Sequence, residues 1–180
     1  MKRILPEHVL LIATCLCMAV VASLLMAVSA SGAPPRLKTF RGKVVKVVDA
    51  DTIFVETRLV TRKVRLNEID APESDQPYGK EAADALAKAA LGRTVVVNYR
   101  TKDRYQRFLG TVSLVGADGQ PEISSLNAAL VREGNAWQYD AYSKSEELAK
   151  LEAEAREKKK GLWSLPNPIY PPDWRKGKRE

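Results

Sequence analysis

The period of hydrophobic and polar positions changes several times along this chain of 180 residues, and each change marks an element. Residues 9–28 are almost wholly apolar. Further on, Val44, Val45, Val47 and Val48 predict a first strand, residues 52–57 a second and residues 62–69 a third. In the third, Val64 and Leu66 alternate with Lys63, Arg65 and Asn67, the period of a strand with one wet face. The period then becomes helical. Ala83, Leu86, Ala87 and Ala90 line one face of residues 79–91, and Gly92 suits the C-terminal cap. Residues 94–99 and 108–115 read as strands again, followed by the turn Ala117-Asp118-Gly119. A second helix holds Ile123, Leu126 and Leu130 in register and ends at Gly134. A third opens at a capping box of Ser143 and Glu146 and carries Leu148, Leu151 and Ala155 on one face. It closes on Arg156, Lys158, Lys159 and Lys160, near the negative end of its dipole, before Gly161. Five short strands with three helices, strands first, predict a small α+β domain. A closed or nearly closed barrel would leave no strand edge exposed.

The apolar stretch follows Lys2 and Arg3 and precedes Ser29, Ala30, Ser31, Gly32 and Ala33. This is the layout of a secretory signal peptide over residues 1–33, cleaved after Ala30 or Ala33. About 20 apolar residues also suffice to span a bilayer, so an uncleaved membrane anchor is the alternative. Either way the domain is expected outside the cytoplasm, secreted or periplasmic. Residues 34–40, opening with Pro34-Pro35, read as a linker and residues 41–165 as the folded domain. Residues 166–180 form a Pro-rich basic tail. Trp163 and Trp174 offer it a way to wrap over the core, but Arg175, Lys176, Lys178 and Arg179 read as a disordered, solvated run adding only nonspecific affinity.

Composition narrows the chemistry. His8, Cys15 and Cys17 all lie in the export segment. The exported domain therefore has no disulfide, no thiolate nucleophile or zinc–thiolate site, and no Ser-His-Asp triad. The formal charge is +7, and losing Lys2, Arg3 and Glu7 removes one net positive charge to leave +6. A basic exported domain prefers polyanions, nucleic acid or an anionic surface; ordinary solubilising charge is the blander reading of the same number.

Three charged clusters remain: Asp49-Ala50-Asp51-Thr52, then Arg65 with Asp70-Ala71-Pro72-Glu73, then Asp103-Arg104-Tyr105-Gln106-Arg107. Acids where one strand begins and another ends can converge on one site. Without nitrogen or sulfur ligands such a site selects a hard ion, Ca²⁺ or Mg²⁺. The competing reading is a polar turn at Asp49 and Asp51 and a loop cap at Asp70. Arg65 is either an ion-pair partner of these acids or a phosphate clamp, and Arg107 offers a second permanently charged fork. Glu73 is a candidate general base for water. Tyr105, Tyr139 and Tyr142 can stack on bases or serve as rim aromatics, and Trp137 reads mainly as packing. Together these groups supply what metal-assisted phosphodiester cleavage requires.

The stretches VVKVVDADTIFV, VRLNEIDAPE, QPYGKEA, KDRYQRFLGTV, LNAALVREGNAW and AREKKKGLW, in that order, resemble the staphylococcal nuclease-like (thermonuclease) family over about residues 40 to 165. The resemblance implies an OB-fold five-stranded β-barrel with three α-helices and a Ca²⁺-dependent phosphodiesterase acting on DNA and RNA. It implies Asp51, Asp70 and the Ala71 carbonyl as metal ligands, with Asp49 in the outer shell. Glu73 would act on the attacking water and Arg65 and Arg107 on the phosphate. Arg104 and Tyr105 would lie beside the bound nucleotide, and Tyr139 or Tyr142 would stack on its base. Ala50 and Gln106 stand where the family usually has glycine, and Asn67-Glu68 where it often has Tyr-Gly. The other expectation is a non-catalytic OB module that binds nucleic acid or protein. A monomer with no obligate protein partner is expected in either case.

Overall fold

The computed structural model describes residues 36–179. The expected export segment, its cleavage and anchoring alternatives, and His8, Cys15 and Cys17 lie outside the described residues. In order, the chain forms β1 (Lys38–Asp49), β2 (Thr52–Glu56), β3 (Thr61–Leu66), β4 (Ile69–Asp70), α1 (Gly79–Ala90), β5 (Thr94–Lys102), β6 (Phe108–Val115), β7 (Pro121–Ile123), α2 (Leu126–Arg132), β8 (Trp137–Gln138), α3 (Glu146–Glu157), a 3₁₀ turn (Gly161–Ser164) and α4 (Pro171–Arg175).

One long bent strand makes the barrel possible. The first half of β1 pairs with β5, from Lys38 opposite Tyr99 to Lys43 opposite Thr94. The second half pairs with β2, with two register shifts that bend it. Gly42 sits at the changeover, where a β-carbon would meet the Glu56 carbonyl oxygen at 2.3 Å. β3 runs antiparallel to β2 and β6 antiparallel to β5. A parallel pairing of β3 with β6, Val64 to Leu66 against Phe108 to Gly110, then closes the ring. The result is the expected α+β architecture, a closed five-stranded OB-fold barrel with helices packed on it. Its interior holds Val44, Ile53, Val55, Val64, Leu66, Val95, Val97, Val112 and Leu114, joined by Leu86 from α1 and Leu126 and Leu130 from α2. Each such side chain contributes roughly 1.5–3 kcal/mol by leaving water.

The sequence reading and the structure part in several places. The third strand breaks at Asn67-Glu68, because Glu68 takes a left-handed conformation with φ 63°. The chain beyond it, β4, leaves the barrel and pairs with β8. β1 opens at Lys38. Ile123 belongs to β7, since Ser125 caps α2 by accepting from the Ala128 N–H at 3.1 Å. The cap of α3 is Ser145, not Ser143. The Ser143 hydroxyl is buried and already accepts from the Gln138 amide at 3.1 Å and the Ser145 N–H at 3.2 Å.

The tail is a correction to the solvated reading. Tyr170 packs edge-on to Trp137, which also meets Trp163, with ring centroids 6.1 and 5.2 Å apart. Gln76 donates to the Ile169 carbonyl at 2.5 Å and Trp174 donates to Asp75 at 3.1 Å. Pro171 is buried at the start of α4, where its missing N–H has no helical partner to lose.

One buried side chain ties α2 to the barrel wall beside β4. Asn127 accepts from the Val112 N–H at 3.1 Å and donates to the Asn67 carbonyl at 2.8 Å and the Gly110 carbonyl at 3.3 Å. Asn127→Ala leaves these backbone groups buried without their partner and is expected to cost about 2–4 kcal/mol. Urea denaturation should show a lower midpoint with an unchanged slope; a loss under about 0.5 kcal/mol would contradict the role given to this network.

Candidate active site

The turn from β1 to β2 and the end of β3 place three of the sequence candidates together. Asp49 accepts from the Asp51 N–H at 3.1 Å and so shapes the turn. Asp51 is buried, accepting from the Thr52 hydroxyl at 3.0 Å and the Ala71 N–H at 3.1 Å. Asp70, only 1 % exposed, is fixed by the pairing of β4 with β8, where it sits opposite Trp137. One terminal nitrogen of Arg65 lies 2.9 Å from Asp51 Oδ2 and 2.7 Å from Asp70 Oδ1. Its other terminal nitrogen donates to the Leu66 and Ile69 carbonyls at 2.7 and 2.9 Å. The sequence left open whether Arg65 is an ion-pair partner or a phosphate clamp; here it is an ion-pair partner, and its planar fork keeps the geometry a phosphate would need.

The electrostatics are strained. Burial pushes the Asp51 carboxyl from 3.8 up to about 7, against the pull of Arg65 and the Ala71 N–H and with the added repulsion of Asp49 and Asp70. Arg65 is shared between two carboxylates and does not fully offset the lost hydration.

Glu73 lies in the segment after β4 and is partly exposed. Its Oε1 is 2.5 Å from a terminal nitrogen of Arg175, whose second terminal nitrogen is 2.8 Å from Asp70 Oδ2. Arg175 is the site residue that the sequence reading missed. Partial burial works against its charge, but hydrogen bonds to Asp70 and Glu73 outweigh it and hold the guanidinium more firmly protonated than usual. The available signal was Pro171-Pro172 as a helix start, followed by Trp174 as an anchor.

The third cluster stands apart. Arg107 Nε binds Asp103 Oδ2 at 2.6 Å, and Asp103 Oδ1 accepts from the Tyr105 and Arg107 N–H groups, each at 2.9 Å. Partial burial opposes ionisation of Asp103, yet these bonds win and its pKa is lowered. Among the recorded contacts none joins Arg107 to Asp51, Asp70 or Glu73. It immediately precedes β6, whose Leu109 pairs with Arg65. Arg107 thus enters the strand beside that of Arg65, with the two backbones roughly 8 Å apart by strand spacing and rise. Arg104 and Arg107 both lie over the exposed Tyr105 ring, at 4.9 and 5.5 Å from its centre.

The tyrosines reach the site through β8. The Tyr139 N–H donates to the Glu68 carbonyl at 2.9 Å, two residues from Asp70. Tyr139 and Tyr142 touch with centroids 4.8 Å apart, and Tyr142 is exposed. Trp137 is buried, in the packing role expected of it. The three departures from the family pattern also find their places. Ala50 is buried at the turn. Glu68 and Gln106 occupy left-handed backbone with φ 63° and 61°, the region glycine enters without penalty. A side chain there costs about 1–2 kcal/mol. Glu68 lies 3.4 Å from the Ser143 hydroxyl, and Asn67 is held by Asn127.

The donor set fits a hard divalent cation. Oxygens of Asp51 and Asp70 already converge on one positive nitrogen at 2.9 and 2.7 Å, close to the span that Ca²⁺–oxygen bonds would bridge. Among the described residues no group of three or more Asp, Glu, His or Cys side chains gathers with metal-holding geometry. Further bonds would have to come from the backbone, with the Ala71 carbonyl matched by the resemblance, and from water.

The protein is thus an OB-fold barrel that carries paired acids and an arginine at its strand ends. Residues 63–165 match the family described as "Staphylococcal nuclease homologue", and the chain belongs to the staphylococcal nuclease family. It is 40% identical over 165 residues to a protein named micrococcal nuclease from Shigella flexneri, covering 89% of this chain and 92% of that one. It is 41% identical over 148 residues to Protein ParB of Escherichia coli, covering 80% and 84%. A staphylococcal-like nuclease of Arabidopsis thaliana is 44% identical over 117 residues, 65% of this chain and 34% of the plant protein.

The raised Asp51 value has a testable sign. The folded state holds this proton more tightly than the unfolded one, so the contribution of Asp51 to stability is full below pH 3.8 and lost as pH rises through about 7. In chelator, Asp51→Asn should therefore melt above wild type at pH 8, by roughly 2–4 °C for each kcal/mol gained, with the gap narrowing below about pH 7 and closing only near pH 4. Scanning calorimetry at the two pH values measures this; a variant that melts lower at pH 8 would show that the charge is not strained.

Proposed function

We propose that this chain is an exported Ca²⁺-dependent nuclease hydrolysing phosphodiester bonds of DNA and RNA with low sequence preference. The observation that carries the reading is the convergence of Asp51 and Asp70 on a single cationic nitrogen of Arg65, with Glu73 close by. The nuclease names of its relatives support it, as does the net positive charge. Export rests on the signal-like composition of residues 1–33.

A cation held by Asp51, Asp70 and the Ala71 carbonyl would supply Lewis-acid polarisation of a phosphate oxygen. One terminal nitrogen of Arg65 faces the same place, its other being held by the Leu66 and Ile69 carbonyls, and phosphate is the anion that can replace the two carboxylates on it. Arg107, on the adjacent strand, adds a second guanidinium for the charge that develops at phosphorus. Glu73 has one carboxylate oxygen on Arg175, and its other oxygen can orient a water or take its proton. By the resemblance, the leaving group is the 5′ oxygen and the product carries a 3′-phosphate. Arg104 and Tyr105 flank the nucleotide and Tyr139 and Tyr142 stack on a base. Stacking and phosphate contacts carry no sequence information, which accounts for low specificity.

Purified protein should cut single-stranded DNA and RNA with Ca²⁺ and stop when the ion is chelated. Glu73→Gln should lower kcat about 10²–10⁴-fold and Arg65→Ala about 10²-fold or more while the barrel stays folded. Retained DNA binding without cleavage by the wild type would return the chain to the binding-module reading. N-terminal sequencing of the mature protein should find a start between Ala30 and Pro34; a protein still carrying residues 1–28 is the anchored form.

A further inference from the structure

We propose that Arg175, carried by the C-terminal helix α4, is a positioning residue of this site. It grips the metal-side carboxylate Asp70 and the base Glu73 at once and fixes one against the other. The inference rests on the roles given above to Asp70 and Glu73.

The geometry divides the work between two arginines. Asp70 Oδ1 is held by Arg65 at 2.7 Å and Oδ2 by Arg175 at 2.8 Å. The Arg175 nitrogen that holds Glu73 also lies 3.5 Å from Oδ1, so the grip of Arg175 on Asp70 does not depend on Arg65. Glu73 is divided in the same way, with Oε1 on Arg175 and Oε2 left for water. Glu73 needs such a hold, because it lies outside every helix and strand and its flexible side chain would otherwise sample many rotamers. Both terminal nitrogens of Arg175 are engaged by these two carboxylates.

Nor is α4 placed like a removable plug. Gln76 accepts from the Glu73 N–H at 3.1 Å and donates to the Ile169 carbonyl at 2.5 Å, so one side chain joins the Glu73 segment to the tail. On the other side Trp174 donates to Asp75 at 3.1 Å. Tyr170 packs against Trp137, the residue paired with Asp70 across β4 and β8. The tail and both carboxylates therefore form one connected unit.

The experiment compares Arg175→Ala and Arg175→Lys with wild type, using single-stranded DNA and Ca²⁺. Alanine should lower kcat about 10–100-fold with KM within about threefold, and lysine should recover part of the loss. In a Glu73→Gln background the alanine change should cost less than about threefold, because the group it positions is already gone. A second readout needs no turnover. Nitrogen-15 spectra of arginine side chains should show a guanidinium with hindered rotation that is missing from Arg175→Lys and unchanged in the wild type when Ca²⁺ is added. A faster alanine variant, or a guanidinium that rotates freely once Ca²⁺ binds, would make the tail an occluding plug and overturn the proposal. A raised KM at constant kcat would make Arg175 a substrate clamp, and an additive loss in the Glu73→Gln background would show that it does not act through Glu73. If alanine unfolds the protein, the lysine variant and the spectra still decide. Wild-type protein inert with Ca²⁺ defeats the nuclease reading instead, a result the kinetic arms separate from failure of the positioning role.

Discussion

Carboxylates buried at one end of a small barrel have lost their hydration, and the arginines around them are placed to offset that loss. Asp49, Asp51, Asp70 and Glu73 are drawn together by a turn, a strand end and a two-strand pairing. Two of them are almost wholly buried. Like charges in a medium of low effective dielectric repel strongly, and each has also lost hydration. Arg65 and Arg175 offset part of this, but the raised Asp51 value shows that the balance is incomplete.

The barrel closure is what lets such a site persist. Arg65 lies at the end of the strand that pairs with both β2 and β6, so the Asp51 turn and the Arg107 segment are registered to it by backbone hydrogen bonds. Asp70 leaves the barrel one turn later and is caught by β8, which also delivers Tyr139. Asn127 holds the junction between these paths by satisfying backbone groups from both. Strain at the site, in the left-handed backbone of Glu68 and in the buried acids, is thus borne by a core remote from the chemistry.

Much of this was legible because it depends on local pattern. Alternation in residues 62–69 located Arg65 on a strand, and the acid spacing located Asp51 and Asp70 at strand ends. What escaped depends on long-range contact. The capping-box spacing favours Ser143 over Ser145, and only the reach of Gln138 from β8, which engages the Ser143 hydroxyl, leaves Ser145 to cap α3. The break at Glu68 is invisible to a hydrophobicity period, because a left-handed φ leaves no mark on it. Arg175 lies 102 residues from Glu73, in a run whose charge suggests solvent. Its place follows from Pro171, Tyr170 and Trp174 docking on the body, an outcome of packing that composition does not encode.

The arginines share one logic. Arg65 and Arg107, the two proposed to meet phosphate, are each held by a carboxylate, Arg65 by Asp51 and Asp70 and Arg107 by Asp103. Binding then exchanges one anion for another around a guanidinium that is already desolvated and aimed, so little ordering entropy remains to be lost. The exchange differs between the two. Arg65 leaves behind buried acids that a cation can take over, so phosphate and metal favour each other's binding there. Arg107 leaves Asp103, which keeps two backbone N–H bonds and stays satisfied without help. In the proposed reaction Arg65 would therefore be coupled to a bound cation and Arg107 would be largely independent of it. The left-handed Gln106 beside Arg107 can stiffen that arginine's loop without disturbing the carboxylates.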